Sequence, residues 1–526
     1  MGKILRKFKK GIEKTWSIKY NVFSENRKDL ITMFENIITE KEIEFNNLEK
    51  KIYKFVCMLG CLIIKIILEK QDNQILKSVK GNKKYDNRGY RKTTIHTIMG
   101  DVCYKRRLYK ITEKGISKYV YLLDEKFHIN TDGKISENLI EKIVNIVPST
   151  ESYRKAEQVM RETTNTDLTF ETIRKVTINV GNKITQKEKQ EVKYFNKQEL
   201  IAGLKETIAL FEEADGIWIN LQGKDRKKQL EEYKEKCEQK GKEFNEHMKV
   251  KTELKLDVRY EGWKKGDSRH SLVNKKYIAG IMTPKEISKL REAQIYREYD
   301  TSKIKLRVVN GDGAQWTKGI TPKGGVYQKD QFHIMQEITR DVPEEYRNIL
   351  IELVNKKQFN KIPKTIEGLK YEVGGEEKAV EKLNKLKRYL RTGLERYTDL
   401  VEVPEAPKGI EYRTMGTQES QIFSKLKNRF CSGRKAFSKS GANALAKICV
   451  VNESLSMDEI ETAIPIDTSV EDWIKEIENN VKRTKTTTSS FIATNRKTPD
   501  EEKIGVHRFT TDLPFMKEIM KYAEIS

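Results

Sequence analysis

The chain has 526 residues, enough for roughly two to four domains with a substantial hydrophobic core. Its 102 Lys and Arg residues exceed its 78 Asp and Glu residues and leave a net charge of +24. A charge of this size is typical of a protein that binds a polyanion. It favours a nucleic-acid partner over a merely soluble basic protein.

Cysteine and histidine spacing argues against a zinc site. The six cysteines include no CxxC pair, and the six histidines include no HxxxH pair. Cys57 and Cys61 would share one helix face, but they lie in an apolar run where small buried side chains are expected. We therefore predict reduced thiols, as in an intracellular protein.

The most hydrophobic stretch, 55–68, does not predict a membrane span. It is interrupted by Lys65 and is shorter than the ~20 apolar residues that a span requires. The first ten residues are basic but contain no apolar segment, so export is not expected. These patterns predict a buried helix at 55–68 and a cytoplasmic protein without a membrane partner.

The first 135 residues predict two regions. Residues 1–80 form an N-terminal helical region, in which apolar residues between Ile4 and Trp16 fall at helical spacing. Residues 81–135 form a basic β-hairpin module, with strands at 93–99 and 102–109. If this module binds DNA, its candidate phosphate contacts are Lys92, Lys105, Arg106 and Arg107. An ordinary solvated sheet face is an equal alternative.

Residues 136–200 predict a helical region with a layout like a helix-turn-helix. Its two helices are expected at 153–161 and 169–184. Arg174 and Lys175 lie on the second helix, where they can face a major groove. Any two-helix hairpin would give the same pattern, so DNA binding here is one of two interpretations.

Residues 201–333 are rich in strands and predict the first part of a catalytic core. Strands are expected at 208–220, 250–260, 277–282, 304–309 and 326–332, with a charged helical excursion at 224–246. A capping box from Thr283 to Glu286, with Pro284 at the first helical position, begins a helix that runs to Tyr299. The predicted order is β-β-β-α-β-(α)-β.

The remainder of the chain predicts three further regions. Residues 334–412 form a helical insertion, 413–450 carry the last core helix and a basic segment, and 451–526 form a C-terminal extension. The basic segment is expected to contact the phosphates that flank a cut site. Its candidate residues are Lys425, Arg429, Arg434 and Lys435.

Three carboxylates are candidates for one site. Asp215 lies within the first strand, Asp312 follows the fourth strand between Gly311 and Gly313, and Glu419 lies in the first turn of the last core helix. Acids that converge in a cleft repel one another and need cations to coexist. Oxygen ligands favour Mg²⁺ or Mn²⁺, and two such ions can promote phosphodiester displacement.

Other acids are weaker candidates. Glu405 and Glu411 lie near Glu419, but they follow prolines in a loop-like segment. Glu212 and Glu213 precede Asp215, and an acidic pair at a strand entry is expected to be exposed. We therefore leave these four residues out of the predicted site.

Asp215, Asp312 and Glu419 stand in the motifs Glu-Ala-Asp-Gly, Asn-Gly-Asp-Gly and Gly-Thr-Gln-Glu-Ser. In this order, with a helical insertion before the last, they resemble the DDE transposases of bacterial insertion sequences. The closer likeness is to the ISLre-type family, formerly an uncharacterised protein family and akin to Mutator-type transposases. Tyr-Glu-Gly-Trp at 260–263 and Ser-Tyr at 152–153 add to the resemblance, which covers about residues 80 to 450.

A further motif places two residues beside the expected site. Mutator-type relatives carry Cys or Asp followed by x-x-His, and here Asp330 and His333 stand in that pattern. His333 can help to position the scissile phosphate, or it can be a structural partner of Asp330. Trp316 and Trp218 can stack on an unpaired base, although core packing is the commoner fate of a Trp beside strands.

The resemblance implies an α+β or α/β fold with an RNase H-like mixed-sheet core and a helical insertion before the last core helix. Helical and β-hairpin DNA-binding modules would precede this core. It implies cleavage of element ends and strand transfer into target double-stranded DNA, with two Mg²⁺ or Mn²⁺ ions at Asp215, Asp312 and Glu419. Neither a general-base side chain nor a nucleotide cofactor is expected.

The resemblance also implies a homo-oligomer on paired ends, in the bacterial cytoplasm and at the nucleoid when DNA is bound. Two other functions remain open. One is an RNase H-like nuclease or resolvase that cleaves without strand transfer. The other is a non-catalytic DNA-binding derivative, against which the three intact acids argue.

Overall fold

The computed structural model describes residues 44–451 except 114–115, 128, 130–133, 246–247, 267–268, 375 and 397–406, together with residues 32 and 35–37. All of these lie in one unit of the chain, Met1–Asp458. The predicted helix between Ile4 and Trp16 lies outside the described residues. So does the C-terminal extension apart from Val451.

The first described elements are a long helix and a small sheet. Helix α1 (Phe45–Val79) packs against a three-stranded antiparallel sheet of β1 (Tyr85–Thr97), β2 (Gly100–Glu113) and β3 (Ile116–Val120). Buried residues of α1, β2 and the short helix α2 (Leu122–Phe127) form their common core. The predicted hairpin is therefore part of a sheet with a third strand.

Three helices follow. They are α3 (Glu137–Ile146), α4 (Tyr153–Thr163) and α5 (Phe170–Asn196). Ser152 and Thr169 cap the last two by accepting backbone N–H bonds, as their residue types favour. Helix α5 extends beyond the predicted end at residue 184. At its Gly181 an added Cβ would lie 2.4 Å from the backbone oxygen of Ala444, so this helix is docked closely on the core.

The central sheet is mixed. Its strands are β4 (Ala209–Leu221), β5 (Lys251–Tyr260), β8 (Lys276–Gly280), β9 (Leu306–Gly311) and β10 (Val326–Lys329), in the order β10-β9-β4-β5-β8. Strands β4, β9 and β10 are parallel to one another, and β5 is antiparallel to both β4 and β8. A separate hairpin pairs β6 (Trp263–Lys265) with β7 (His270–Leu272). The fold is thus a mixed α/β arrangement with many helices.

Helices connect these strands. Helix α6 (Gly223–Gln239) follows β4, α7 (Pro284–Glu298) follows β8, and the short α8 (Gln315–Gly319) follows β9. Helix α7 begins with the predicted capping box, because Thr283 and Glu286 exchange side-chain to backbone hydrogen bonds.

The two faces of β4 carry different acids, and both acids correct a prediction. An acidic pair at a strand entry predicts exposed side chains, but Glu212 and Glu213 are 0% and 1% exposed. Glu212 is paired with Arg291 of α7 and with Arg307 of β9, which compensates its buried charge. Glu213 points to the opposite face, since side chains alternate along a strand.

Four helices occupy the stretch between β10 and residue 390. They are α9 (Gln331–Asp341), α10 (Glu344–Asn355), α11 (Ile362–Glu372) and α12 (Glu377–Tyr389). Their buried residues form a hydrophobic core of their own, which includes Ile338, Leu350, Ile366 and Leu386. The first turn of α9 therefore joins this helical body to the end of β10.

The last described elements return to the sheet. Helix α13 (Gln418–Ile422) continues through a π-helical turn (Phe423–Lys427) into α14 (Asn428–Phe430). Strand β11 (Ala436–Phe437) then pairs with the far end of β4, and α15 (Lys439–Val451) packs against α5 and β8. In the part of the chain described, no helix combines the length and apolar character needed to cross a membrane.

Candidate metal centre

Asp215 and Asp312 lie side by side because of the register between two strands. In the parallel pair of β4 and β9, the last partners are Ala214 and Gly311. Asp215 directly follows Ala214, and Asp312 directly follows Gly311. The two predicted acids therefore follow neighbouring positions at the same end of the β4–β9 ladder, although 96 residues stand between them.

A close group of donor atoms is formed by Asp215, His333 and Glu419. One ligand atom from each of the three lies within 4.8 Å of the other two. His333 Nε2 is 3.9 Å from Asp215 Oδ2 and 3.7 Å from Glu419 Oε1. Strand β4, helix α9 and helix α13 thus each bring one side chain to a single point.

The electrostatics of Asp215 favour a cation at this point. Burial, together with the Asp312 and Glu419 carboxylates, raises the pKa of Asp215 to about 7. The backbone N–H of Gly216 and the His333 ring act in the opposite direction. A divalent ion would stabilise the ionised carboxylate, so the donors fit such an ion by both their chemistry and their convergence.

Asp312 lies beside this group but is turned into its own loop. Its Oδ1 accepts hydrogen bonds from the backbone N–H of Ala314 at 2.8 Å and from Thr317 Oγ1 at 3.4 Å. Its backbone oxygen accepts a hydrogen bond from Tyr389 of α12 at 2.8 Å. Asp312 is therefore close enough to affect the pKa of Asp215 without joining the three closest donors.

The glycines on either side of Asp312 make room for neighbouring protein side chains. An added Cβ at Gly311 would lie 2.7 Å from Thr317, and one at Gly313 would lie 2.7 Å from the Tyr389 ring. Gly313 also has φ +92°, which favours glycine. These two residues let Thr317 and Tyr389 close over the loop.

Glu213 holds the segment that carries Glu419. Its Oε2 accepts hydrogen bonds from the backbone N–H groups of Gly416 and Gln418, both at 3.1 Å. Its Oε1 accepts hydrogen bonds from Thr417 Oγ1 at 2.9 Å and from Tyr260 Oη at 2.7 Å. Complete burial raises the pKa of Glu213, although these donors favour its ionised form.

Asp330 holds His333 in a comparable way. Its Oδ1 accepts hydrogen bonds from the backbone N–H groups of Phe332 at 2.9 Å and of His333 at 3.4 Å, and so caps α9. Its Oδ2 accepts a hydrogen bond from Asn310 Nδ2 at 3.0 Å. The same Nδ2 lies 3.5 Å from Glu213 Oε2, so Asn310 connects the supports of His333 and Glu419.

Glu419 has a second partner across the π-helical turn. Lys427 Nζ donates a hydrogen bond to Glu419 Oε2 at 2.8 Å, while Oε1 faces His333. Glu411, the alternative acid that the structure describes, instead bonds to Arg413 at 2.9 Å and lies 3.8 Å from His270. Glu405 lies outside the described residues.

The two tryptophans near the centre have different surroundings. Trp316 donates a hydrogen bond from Nε1 to Glu253 at 3.0 Å, and its ring packs against the hydrophobic core of the sheet. Trp218 is 61% exposed and, with the exposed ring of Phe423, lines an open cleft next to Lys427. Only Trp218 of this pair presents a free aromatic face.

Three predicted phosphate contacts are corrected because their side chains are buried. Arg106 and Arg107 form buried ion pairs with Asp124 and Asp72. Arg429 donates a hydrogen bond to the backbone oxygen of Glu151 at 2.7 Å and is 3% exposed. These guanidinium groups support the packing of the chain and are unavailable to a DNA backbone.

The other predicted contacts reach the surface to different degrees. Lys92 and Lys105 are exposed and face each other across β1 and β2. Lys175 and Arg434 are also exposed, whereas Arg174, Lys425 and Lys435 are half-buried. Arg174 is paired with Glu171 at 2.8 Å, and Lys435 donates a hydrogen bond to Ser432 at 2.6 Å.

Sequence reasoning missed Glu213, Asn310 and Lys427. A signal for Glu213 was present, since residues two apart in a strand point to the same face, and Asp215 was already expected to face the cleft. Lys427 had no such signal, because its approach to Glu419 depends on the π-helical turn.

Comparison with known proteins identifies the family. Residues 38–245 and 237–461 match the family described as "Uncharacterised protein family (UPF0236)". The chain belongs to this family. Membership in UPF0236 agrees with the likeness to a formerly uncharacterised family that the motifs suggested, and it leaves the activity to be proposed.

Similar UPF0236 proteins occur in Caldanaerobacter subterraneus subsp. tengcongensis. One is 24% identical over 370 residues, which is 69% of each chain, and its name lists eleven loci of that organism. Another is 23% identical over 370 residues, again 69% of each chain, and its name joins four loci. A third is 23% identical over 69% of this chain and 66% of its own length, with two loci in its name.

Proposed function

We propose that the protein is a divalent-metal-dependent DNA transposase of the DDE type with an RNase H-like core. The observation that carries the proposal is the convergence of Asp215, Glu419 and His333 from three separate elements, with Asp312 on the neighbouring strand. The strand order β10-β9-β4-β5-β8 supports an RNase H-like core, because β4 and β9, the first and fourth central-sheet strands along the chain, are neighbours in it.

Two further observations favour DNA mobility. The net charge of +24 suits a polyanionic substrate. In addition, one relative's name covers eleven loci of a single organism, and repeated copies are what a mobile element leaves behind. Double-stranded DNA is therefore the proposed partner, at the element ends and at the target, with a homo-oligomer on paired ends.

The residues of the centre would have distinct tasks in this reaction. Asp215 and Glu419 would hold a divalent ion, and Asp312 would join them by turning out of its loop. Mg²⁺ or Mn²⁺ bound there would supply Lewis-acid stabilisation of the charge that develops on the phosphate oxygens. Glu213, Asn310 and Asp330 would keep the donor side chains in place.

In cleavage, a water oxygen attacks phosphorus and gives up one proton to solvent, the bond from phosphorus to the 3′ oxygen breaks, and that 3′ oxygen takes up a proton. The products are a 3′ hydroxyl and a 5′ phosphate. In strand transfer, the freed 3′ hydroxyl oxygen attacks a target phosphodiester and displaces the target's own 3′ oxygen. The same site would also serve a nuclease that cleaves without joining. Analysis of the products separates these two functions.

The test uses the purified full chain with DNA that carries the sequences flanking its gene, plus Mg²⁺ or Mn²⁺. Cleavage and joined products are expected, and Asp215→Asn, Asp312→Asn and Glu419→Gln should each lower the rate at least ~100-fold. Glu411→Gln, an exposed acid outside the centre, is the matched control. Cleavage by Asp312→Asn at the parent rate would contradict the proposed site.

A chelator adds a separate check on the same reaction. EDTA should abolish both cleavage and joining, and added Mn²⁺ should restore them. Cleavage without joined products would favour the nuclease. DNA binding without any cleavage in either metal would favour a non-catalytic DNA-binding protein.

A further inference from the structure

We infer that His333 is itself a metal ligand, through Nε2, and that the centre therefore binds a first-row transition ion such as Mn²⁺ more tightly than Mg²⁺. This inference rests on the proposed function, because it concerns the same metal site. It adds a nitrogen donor to what the motifs implied to be an all-carboxylate site.

The distances around His333 favour a shared ion over a direct ion pair. Its Nε2 lies 3.7 Å from Glu419 Oε1 and 3.9 Å from Asp215 Oδ2. A charge-assisted hydrogen bond between such groups would be roughly 2.7–2.9 Å long. The ring nitrogen instead lies at a similar and longer distance from both carboxylates. Ligand atoms that share one metal ion are separated in this way.

The burial of the ring nitrogen points the same way. His333 Nε2 is buried, and among the residues that the structure describes it has no hydrogen-bond partner. Buried polar atoms are almost always paired, so an unpaired one that faces two carboxylate oxygens calls for an explanation. A metal ion would satisfy the nitrogen and both oxygens together.

The backbone of His333 is fixed by hydrogen bonds, as the backbone of a metal ligand usually is. Asp330, itself 1% exposed, accepts hydrogen bonds from the backbone N–H groups of Phe332 and His333 and so anchors the first turn of α9. The Phe332 ring packs edge-on against the His333 ring, with centroids 5.5 Å apart. Support of this kind is typical of residues that orient metal ligands.

A nitrogen donor changes which metals the centre prefers. Mg²⁺ selects oxygen ligands and keeps much of its water, whereas imidazole suits first-row transition ions. With two carboxylates and one imidazole, the centre should bind Mn²⁺ more tightly than Mg²⁺. Loss of His333 should reduce that preference, since the oxygen donors would remain.

The experiment measures nitrogen coordination directly. Mn²⁺ is titrated into the full chain, binding is followed by electron paramagnetic resonance, and pulsed measurements detect ¹⁴N coupling to the bound ion. The variant is His333→Gln and the matched control is His270→Gln, since His270 is also half-buried but bonds to Arg413 at 3.0 Å. Circular dichroism and thermal melting confirm that both variants fold.

The expected result is ¹⁴N coupling in the parent and in His270→Gln, its loss in His333→Gln, and at least ~10-fold weaker Mn²⁺ binding in that variant. Labelling the parent's histidines with ¹⁵N should replace the ¹⁴N signal. Mn²⁺ bound by the parent without nitrogen coupling would overturn this inference and leave the proposed function standing. An absence of Mn²⁺ and Mg²⁺ binding by the parent would overturn both.

Discussion

The backbone N–H of Gln418 donates a hydrogen bond of 3.1 Å to Glu213, and this contact fixes the start of the helix whose first turn carries Glu419. Glu213 lies two residues before Asp215, on the same face of β4. One strand thus provides a candidate metal ligand and the support for another ligand more than 200 residues away in the sequence.

Replacing Glu213 tests this support. Glu213→Ala removes the acceptor of the Gly416 and Gln418 backbone N–H groups, so Glu419 should lose its fixed position. We expect Mn²⁺ affinity to fall about 10-fold or more, as for other residues that orient ligands. Isothermal titration calorimetry measures this change.

The conservative variant Glu213→Gln is the control for that experiment. Its amide oxygen can still accept from both backbone N–H groups, and the hydroxyls of Tyr260 and Thr417 can rotate to accept from its amide nitrogen. We expect metal affinity close to that of the parent. Equal losses in Gln and Ala would show that Glu213 acts by charge rather than by position.

Glu191 of α5 should make stability depend on pH. Burial raises its pKa from 4.5 to about 7, although Arg297 lies 2.9 Å away. The folded state therefore holds this proton more tightly than the unfolded state. The stability that results is fully present below pH 4.5 and is lost as pH rises to about 7.

Urea denaturation at several pH values measures this dependence. The parent should lose up to about 1.4 kcal/mol of unfolding free energy per pH unit in that window through Glu191. Glu191→Gln should lose less over the same range, because its side chain does not titrate. The exposed Glu206→Gln should follow the parent, and a Glu191→Gln curve parallel to the parent's would contradict the assignment.

Replacing Lys92 of β1 or Lys105 of β2 should weaken DNA binding, whereas replacing the buried Arg106 of β2 should lower stability. Lys92 and Lys105 are exposed, so each alanine variant should weaken DNA binding and reduce the salt slope by about 1. Arg106 is buried in its pair with Asp124, so Arg106→Ala should cost roughly 3–5 kcal/mol of stability. Fluorescence anisotropy at several salt concentrations and chemical denaturation separate the two effects.

Two outcomes would contradict these roles of Arg106, Lys92 and Lys105. A folded and stable Arg106→Ala protein with a reduced salt slope would mean that the arginine leaves its pair to reach DNA. An unchanged salt slope in Lys92→Ala and Lys105→Ala would remove the β1–β2 face from the DNA-binding surface.

The exposed ring of Trp218 should contribute to the binding of unpaired bases beside the centre. Stacking of one base on an aromatic ring is worth about 1–3 kcal/mol. Trp218→Ala and Phe423→Ala should therefore weaken binding to DNA with an unpaired end by about 5-fold or more, with less effect on fully paired DNA.

Tyr371→Ala is the control, because Tyr371 is 85% exposed but lies on α11 in the helical insertion. Fluorescence anisotropy with both forms of DNA measures the difference. Equal losses on paired and unpaired DNA would indicate a general contact with the backbone instead of stacking.

Sequence alone determined the order of the five central-sheet strands, the capping of α7 and the identity of Asp215, Asp312 and Glu419 as candidate acids. Alternation of apolar residues, caps and glycine turns are local signals, readable within a few residues of each position. They therefore also indicated a helical stretch between β10 and Glu419. The DNA-binding roles of the exposed basic residues and the domain limits remain predictions.

Only the tertiary structure decided which side chains meet. It turned Glu213 inward, brought His333 between two carboxylates, and buried Arg106, Arg107 and Arg429 in contacts with distant segments. Each of these outcomes depends on residues far apart in the chain, where a local pattern of charge does not distinguish a surface from a paired interior. The centre is thus a product of packing between β4, α9 and α13.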